Sequence, residues 1–390
     1  MDTRSPENLA SAAAEVLLRA TVCTASTAAW DVSIRGSDRL PPGPCFIYGN
    51  HSNNFDPFIL NRFTEWGQPT AGVMTMEFAG KGFIGSLFRA TGIEATRKSV
   101  PEPHLIRRIY RLLEKGRRIV IFPEGGRRWD GRPAPWIAST AKLFWRMGVP
   151  VHPVRIHGSY VSWPRWARWP RPARITVEPL PAVDFAGCHS LEAALTRLKR
   201  PVSAFEDVFD NASWPHSRPP WSFRPADGFN KLAYRCPKTG AFNALRSPDG
   251  RHVLDGTGRV CWQMQPDSTL VSPDGTRHAS GDVYTRIKSM GDLSTGSRPI
   301  IRHMAEIRIT AFDDLANEPL QRLQVALYPD RVEMGALTLP VDEIRYMGLE
   351  RSDRIWLAGR GKQVYCRFPD TCSTLAWYDT LLRINPHINT

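Results

Sequence analysis

The spacing of apolar residues in the first half of the chain switches repeatedly between a helical and an extended period. Leu9, Ala12, Ala13, Val16, Leu17 and Ala20 share one helical face and predict a helix over 8–29. Val32-Ser33-Ile34-Arg35 alternates as a short strand, and Cys45-Phe46-Ile47-Tyr48 is a continuous apolar run of the kind a buried strand carries. A helix over 57–66, a buried strand over 72–76, a helix over 83–90 and a short extended stretch over 91–95 follow. Residues 101–115 form an amphipathic helix with Leu105, Ile109, Leu112 and Leu113 on one face, stopped by Gly116. A strand over 118–122, a helix over 139–147 ended by Gly148, strands over 149–154 and 174–177 and a helix over 190–199 complete the series. Strands that alternate with helices predict an α/β domain whose mixed, largely parallel sheet is flanked by helices. Such sheets bind ligands at the carboxyl ends of their strands.

The pattern changes after residue 212. Residues 213–225, Ser-Trp-Pro-His-Ser-Arg-Pro-Pro-Trp-Ser-Phe-Arg-Pro, are rich in proline and read as a linker. Beyond them come Asp-Gly turns at 249–250, 255–256 and 274–275, then short alternating strands over 305–310, 323–328, 332–339, 355–357 and 364–368. A last helix over 373–384 carries Leu375, Trp377, Tyr378, Leu381 and Leu382. The expected organisation is a first domain over 1–212, the linker, and a smaller mainly-β domain over 226–390. From about residue 300 the latter looks like a pleckstrin-homology-type or GRAM-like half-barrel; another small β domain is the competing reading.

Charge narrows the partners. Lys and Arg number 51 against 38 Asp and Glu, a net charge of +13, which favours anionic partners. No helix-turn-helix, zinc-finger or RNP pattern accompanies the charge, so nucleic acid is not expected. The seven cysteines are odd in number and include no Cys-x-x-Cys, which suits reduced thiols in a cytoplasmic protein. Cys236-Pro237-Lys238-Thr239-Gly240 has half the form of a zinc ribbon, but Thr239 stands at the second ligand position, and no metal is expected. No signal peptide is visible, and no stretch has the ~18 apolar residues of a membrane span. The expectation is a cytoplasmic protein that meets membranes peripherally. The helix over 8–29 could lie in the membrane plane or pack on the domain; its alanine-rich face favours packing. In 163–174, Trp163, Trp166 and Trp169 recur every third residue, as do Arg165, Arg168, Arg171 and Arg174. Polyproline II geometry would set tryptophans on one edge and arginines on another, a pattern suited to an anionic membrane surface. The alternative is a loop whose tryptophans pack inward.

Candidate chemistry sits at two strand ends. The buried strand at 45–48 runs into Gly49-Asn50-His51-Ser52-Asn53-Asn54-Phe55-Asp56-Pro57. A helix would set His51 and Asp56 on different faces, but Ser52-Asn53-Asn54 favours a turn that brings them together. Asp56-Pro57 suits a helix start. An Asp that holds one imidazole nitrogen leaves the other free as a general base. The strand at 118–122 runs into Pro123-Glu124-Gly125-Gly126-Arg127-Arg128, a glycine turn whose N–H groups and guanidiniums suit phosphate.

Together these two motifs resemble the glycerolipid acyltransferases of the 1-acylglycerol-3-phosphate acyltransferase type. Gly92-Ile93-Glu94-Ala95-Thr96-Arg97 and Val149-Pro150-Val151-His152-Pro153-Val154 are similar to two further blocks of that family, in the expected order, and the resemblance covers roughly residues 30–210. The family usually has Thr at Gly126, Ser at Arg128 and apolar residues in place of Glu94-Ala95-Thr96. The resemblance implies His51 and Asp56 as the catalytic pair. It implies Asn50, Arg97, Glu124, Gly125, Gly126, Arg127 and Pro153 as the substrate-binding set, with Arg97, Arg127 and the glycine backbone on a phosphate, Glu124 orienting the acceptor or the arginines, and Pro153 at the acyl site. Arg128 would read extra headgroup charge or be solvated. It implies transfer of a fatty acyl group from acyl-CoA or acyl carrier protein to a lysophospholipid, without a cofactor and, since neither motif offers a nucleophilic Ser or Cys, without an acyl-enzyme. A non-catalytic lipid-binding scaffold, or an acyltransferase for a different lyso-lipid acceptor, is the alternative.

Overall fold

The computed structural model describes residues 13–65, 70–75, 90–96, 103–204, 206–291, 298–311 and 319–389, with residues 86 and 88 singly. The helix expected at 83–90 and Arg97 lie outside the described residues, wholly or in main part. The chain divides into two compact units, one of Met1–Pro164 and Pro170–Trp221, the other of Arg165–Trp169 and Ser222–Thr390.

The first unit is built on a seven-stranded sheet. Its strands are β1 (Ser33–Ile34), β2 (Cys45–Gly49), β3 (Ala71–Thr75), β4 (Ile93–Thr96), β5 (Arg118–Val120), β6 (Val151–His157) and β7 (Thr176–Pro179), in the order β1-β7-β6-β2-β5-β3-β4. All neighbours are parallel except β6 and β7. β2 is central, and all five of its residues are buried because both faces of the sheet are covered. Phe46 and Tyr48 point into one apolar cluster with Ile109, Leu113, Phe144 and Leu198. Cys45 and Ile47 point into the other, with Trp30, Ile59, Leu60 and Ile156. The helix Pro103–Glu114 supplies Ile109 and Leu113, as its spacing predicts, and Ala138–Arg146 supplies Phe144.

The N-terminal helix corrects one expectation. Its described part covers 13 to Trp30, with a π-helical turn over Arg19–Cys23, and is turned around from the expected face, of which Leu9 and Ala12 lie outside the described residues. Ala13, Val16, Leu17 and Ala20 are exposed, while Ala14, Glu15, Leu18, Cys23, Ser26 and Trp30 are buried. Glu15 and Arg19 go inward as an ion pair at 2.8 Å, and Arg19 also holds the Thr64 hydroxyl and the carbonyls of Thr64 and Glu65. Apolar periodicity sees only the alanine stripe and misses a charged pair that is satisfied inside.

The second unit holds a four-stranded antiparallel sheet of β8 (His252–Leu254), β9 (Val260–Met264), β10 (Leu270–Val271) and β11 (Arg277–His278), followed by a helix Ser280–Ser289. A second sheet has β12 (Ile301–Ala311), β13 (Gln321–Leu327), β14 (Arg331–Met334), β15 (Leu337–Pro340), β16 (Ile344–Glu350), β17 (Arg354–Gly359) and β18 (Lys362–Arg367), in the order β15-β14-β13-β12-β18-β17-β16. Every pairing in it is antiparallel. The stretch read as one strand over 332–339 is a hairpin that turns at Gly335. The closing helix Thr374–Ile384 buries Trp377 against Phe368.

The stretch 163–174 is not a free docking edge. Trp166 is 1% exposed and packs edge-on against Phe229, and Arg165 is buried with its guanidinium on the carbonyls of Leu349 and Arg351. Arg171 is buried, and Trp163 is partly buried and stacks on Phe55. Arg168 and Trp169 remain outside, the guanidinium 5.4 Å from the indole. Burying a tryptophan removes more apolar area from water than a membrane contact at the surface requires, so the packed reading prevails for Trp163 and Trp166.

Candidate active site

β2 and β5 are neighbours and parallel, so the two motif turns leave the same edge of the sheet side by side. Gly49 closes β2 where a Cβ would lie 2.6 Å from the Val154 carbonyl oxygen; no larger residue fits there. The chain then turns over 50–55 and enters the short helix Asp56–Asn61, with Pro57 in its first turn.

This turn brings His51 and Asp56 together. His51 Nδ1 lies 2.9 Å from Asp56 Oδ2. The same oxygen accepts the backbone N–H groups of Ser52 and Asn53, each at 2.9 Å, and Oδ1 accepts the Ser159 hydroxyl at 2.6 Å. Asp56 is fully buried, and these donors hold it as an acceptor-only carboxylate. Nδ1 of His51 therefore carries the proton, and Nε2 is the basic nitrogen. The His51 side chain is 17% exposed, enough for a substrate hydroxyl to reach it.

The second turn supports the first. The His51 ring stacks on Phe122 at 4.2 Å, and the Arg128 N–H donates to the His51 carbonyl at 2.8 Å. Glu124 is buried and pairs with Arg128, whose Nη2 lies 2.6 Å from Oε1. Arg128 also donates to Glu206 Oε2 at 2.9 Å and to the carbonyls of Val202 and Ala204. Gly125 has φ +64°, the left-handed conformation that lets this turn close. Arg127 is half-buried; desolvation lowers its pKa to about 10 while Asp56 works the other way, so it stays cationic at neutral pH.

Glu206 joins the two motifs and has no sequence signature. Its Oε2 accepts the Ser52 hydroxyl and Arg128, its Oε1 accepts the Asn50 amide, and its backbone N–H donates to the Gly131 carbonyl. Burial pushes its pKa up to about 7 despite the opposing pull of Arg128 and Ser52. Ser159 is equally unannounced. It follows β6, the other neighbour of β2, after Gly158 at φ +77°, where a Cβ would meet the Arg174 carbonyl oxygen at 2.1 Å. Ser162, one turn on, accepts the Asn53 amide at 2.8 Å.

The expected site residues divide accordingly. His51, Asp56, Glu124, Gly125, Gly126 and Arg127 lie on two adjacent turns. β4, parallel in the same sheet, ends at Thr96, one residue before Arg97. Asn50 is not placed to bind substrate: it is buried, its amide donates to the Ile156 carbonyl and Glu206, and its Oδ1 accepts the Ile156 N–H. It fastens the end of β2 to β6. Glu124 orients Arg128, and Arg128 is neither solvated nor turned toward a headgroup; it is 1% exposed and bound on all sides. Pro153 is buried in β6 opposite Tyr48.

The serines around the dyad are committed as donors, Ser52 to Glu206, Ser159 to Asp56 and Ser162 to the Ser159 carbonyl. Cys45 lies at the far end of β2, and burial raises its thiol pKa to about 11. The arrangement can take a proton from a hydroxyl at His51 Nε2 and hold an anion near Arg127 and the glycine turn.

Residues 31–157 match the family model described as Acyltransferase. A 1-acyl-sn-glycerol-3-phosphate acyltransferase of Pseudomonas aeruginosa is 27% identical over 151 residues, 37% of this chain and 57% of that protein. One from Limnanthes alba is 26% identical over 158 residues, 39% of this chain and 54% of that protein. The chain spans about half the length of these curated relatives. The crystal structure of a 1-acyl-sn-glycerophosphate (LPA) acyltransferase from Thermotoga maritima overlaps 48% of this chain and 76% of its own, with a TM-score of 0.41 and 22% identity.

Proposed function

We propose that this chain, whose residues 31–157 belong to the glycerolipid acyltransferase family of the 1-acylglycerol-3-phosphate acyltransferase type, moves a fatty acyl group from acyl-CoA or acyl carrier protein to the free hydroxyl of 1-acylglycerol 3-phosphate, giving phosphatidic acid. The observation that carries the reading is the His51–Asp56 pair, with Nδ1 held by a buried carboxylate and Nε2 at a strand end beside a cationic glycine turn. His51 Nε2 takes the proton of the acceptor hydroxyl as its oxygen attacks the thioester carbonyl carbon. The C–S bond then breaks, and the leaving thiolate recovers the proton from the imidazolium. Asp56 holds the ring and stabilises its charged form. Arg127, the Gly125-Gly126 backbone and Arg97 bind the acceptor phosphate, and Pro153 belongs to the wall of the acyl site. The commitment of Ser52, Ser159 and Ser162 as donors supports direct transfer without an acyl-enzyme.

The lipid acceptor requires a membrane face. Among the described residues no helix is long and apolar enough to cross a membrane. The exposed apolar face of the N-terminal helix, Val16 and Leu17 with Ala13 and Ala20, is the contact we assign to the bilayer, with Arg168 and Trp169 a second, smaller one. The second unit from about residue 300, with its seven-stranded antiparallel sheet and closing helix, is read as pleckstrin-homology-like.

The test is thioester consumption by the purified chain, with palmitoyl-CoA and lysophosphatidic acid in mixed micelles, comparing wild type with His51→Ala. Turnover that disappears in the variant supports the reading. No turnover in wild type, across several acceptors and both donor carriers, would replace it with a lipid-binding scaffold.

A further inference from the structure

The second unit draws together three metal-ligating groups from a loop and a neighbouring β-hairpin. Cys236, Asp255 and Cys261 are all buried, and one ligand atom from each lies within 4.8 Å of the others. We propose that these three side chains form a binding site for a thiophilic divalent cation of the zinc class, with water or an added ligand as the fourth donor.

Cys236 comes from a tight loop, and Asp255 and Cys261 from the β8–β9 hairpin. Cys236 opens a tight loop closed by the Arg235–Phe242 bridge; its N–H donates to the Ala241 carbonyl, and its carbonyl accepts the Gly240 N–H. Gly240 has φ +72°, and the Arg235 guanidinium clasps its carbonyl. Inside this loop the sulfur accepts hydrogen bonds from the Lys238 and Thr239 backbone N–H groups and from the Thr239 hydroxyl. Asp255 follows β8 and begins the turn into β9, which carries Cys261. Its Oδ1 accepts the Thr257 and Arg259 N–H groups and the Thr257 hydroxyl, so Oδ2 is the oxygen left to a metal. The loop and the hairpin thus bring one sulfur each to the same point, a backbone arrangement that fixes donors before the ion arrives.

The dimensions and the charge both fit. Ligands of tetrahedral zinc sit about 2.0–2.3 Å from the metal and hence roughly 3.3–3.8 Å from one another. The donors therefore need to draw in by at most about 1.5 Å. Binding as thiolates releases the two thiol protons, and two thiolates with one carboxylate leave a −1 centre around a divalent ion, which the Lys238 ammonium near Asp255 and Cys261 offsets. The sequence hides the site because Thr239 takes the place where a second knuckle cysteine would announce it.

The experiment uses the full chain, reduced, treated with chelator and titrated with Co²⁺ followed by Zn²⁺. The expected result is a single equivalent of cobalt with thiolate charge-transfer absorption in the near ultraviolet, displaced by zinc. Cys236→Ser and Cys261→Ser should each weaken binding by more than about 100-fold, and Cys188→Ser should not. Because loss of a buried cysteine can also unfold the loop, Thr239→Cys gives an independent arm: it supplies the fourth ligand and should tighten zinc at least about 10-fold. Cobalt uptake without thiolate absorption, binding indifferent to Cys236 and Cys261, or a Cys236–Cys261 disulfide found by non-reducing peptide mapping of freshly isolated protein would each overturn the proposal.

Discussion

Asp56 accepts four donors, and His51 is only one of them. That excess is why the pair is rigid: the two backbone N–H groups and the Ser159 hydroxyl fix the carboxylate whether or not the imidazole is present. His51→Ala should therefore fold like wild type, with an unchanged melting temperature, and lose about 10²–10⁴-fold in kcat/KM. Asp56→Asn should cost on the order of 10⁴-fold in kcat, since an amide NH₂ would face N–H donors or drive the ring to its other tautomer; stopped thioester assays read both. Glu206 behaves differently, because its role is structural and it titrates near neutrality. Its folded pKa of about 7 stands above its ordinary 4.5. The folded state then holds the proton more tightly, so this group's contribution is full below about 4.5 and is lost as pH rises through about 7. Glu206→Gln cannot titrate, so the stability advantage of wild type over this variant should shrink between pH 5 and pH 8 in thermal melts. A gap constant across that range would show that Glu206 stays ionised. The His51–Asp56 pairing was legible because both residues lie in one turn with the residue types of a turn. Asn50 and Arg128 were misread because their common partner, Glu206, enters from 156 and 78 residues away and no local pattern marks it.

Elements carry the next level of constraint. The segment 165–169 looks like a surface ladder of Trp and Arg, yet Trp166 is 1% exposed while Trp169 is 53% exposed. Truncating the first should remove a large packed ring: Trp166→Ala is expected to cost about 3–5 kcal/mol of stability, and Trp169→Ala less than about 0.5 kcal/mol. Chemical denaturation of the two variants checks this, and equal effects would contradict the packing described. The turn after β6 is the second such point. Gly158→Ala places a methyl 2.1 Å from a carbonyl and strains a left-handed residue, so the Arg174 strand entry and Ser159 cannot both stay in place. Strand and helix order in the first unit was legible from period alone, since β2 is buried on both faces and carries an unbroken apolar run. The face of the N-terminal helix was not, because the Glu15–Arg19 pair is satisfied by Thr64 and Glu65 from another element. β16 escaped notice because Tyr346-Met347-Gly348-Leu349-Glu350 has no clear alternation, and Gly348 is small because the Trp356 ring lies where its Cβ would be.

At the scale of the molecule the dominant quantity is the net charge of +13. Arginines inside the folded units, such as Arg118, Arg128 and Arg171, do not face solvent, but the excess over the acids is large enough that the surface remains cationic. Long-range attraction to anionic lipid should then set how often the protein visits a membrane, while the exposed apolar face at Val16 and Leu17 sets how long it stays. The two contributions respond differently to salt. The Debye length falls from about 10 Å at 0.1 M to about 3 Å at 1 M, so attraction acting across solvent fades, whereas apolar insertion does not. Sedimentation with vesicles containing phosphatidylglycerol should fall steeply as salt rises from about 0.05 M to about 0.5 M. Leu17→Asp should lower binding at every salt concentration. Turnover of a short-chain, water-soluble acceptor should change far less with salt than turnover of vesicle-borne lipid, because only the latter requires docking. If both substrates lost activity in parallel, salt would be acting at the phosphate site proposed around Arg127, and the cationic surface would have no part in delivering the lipid.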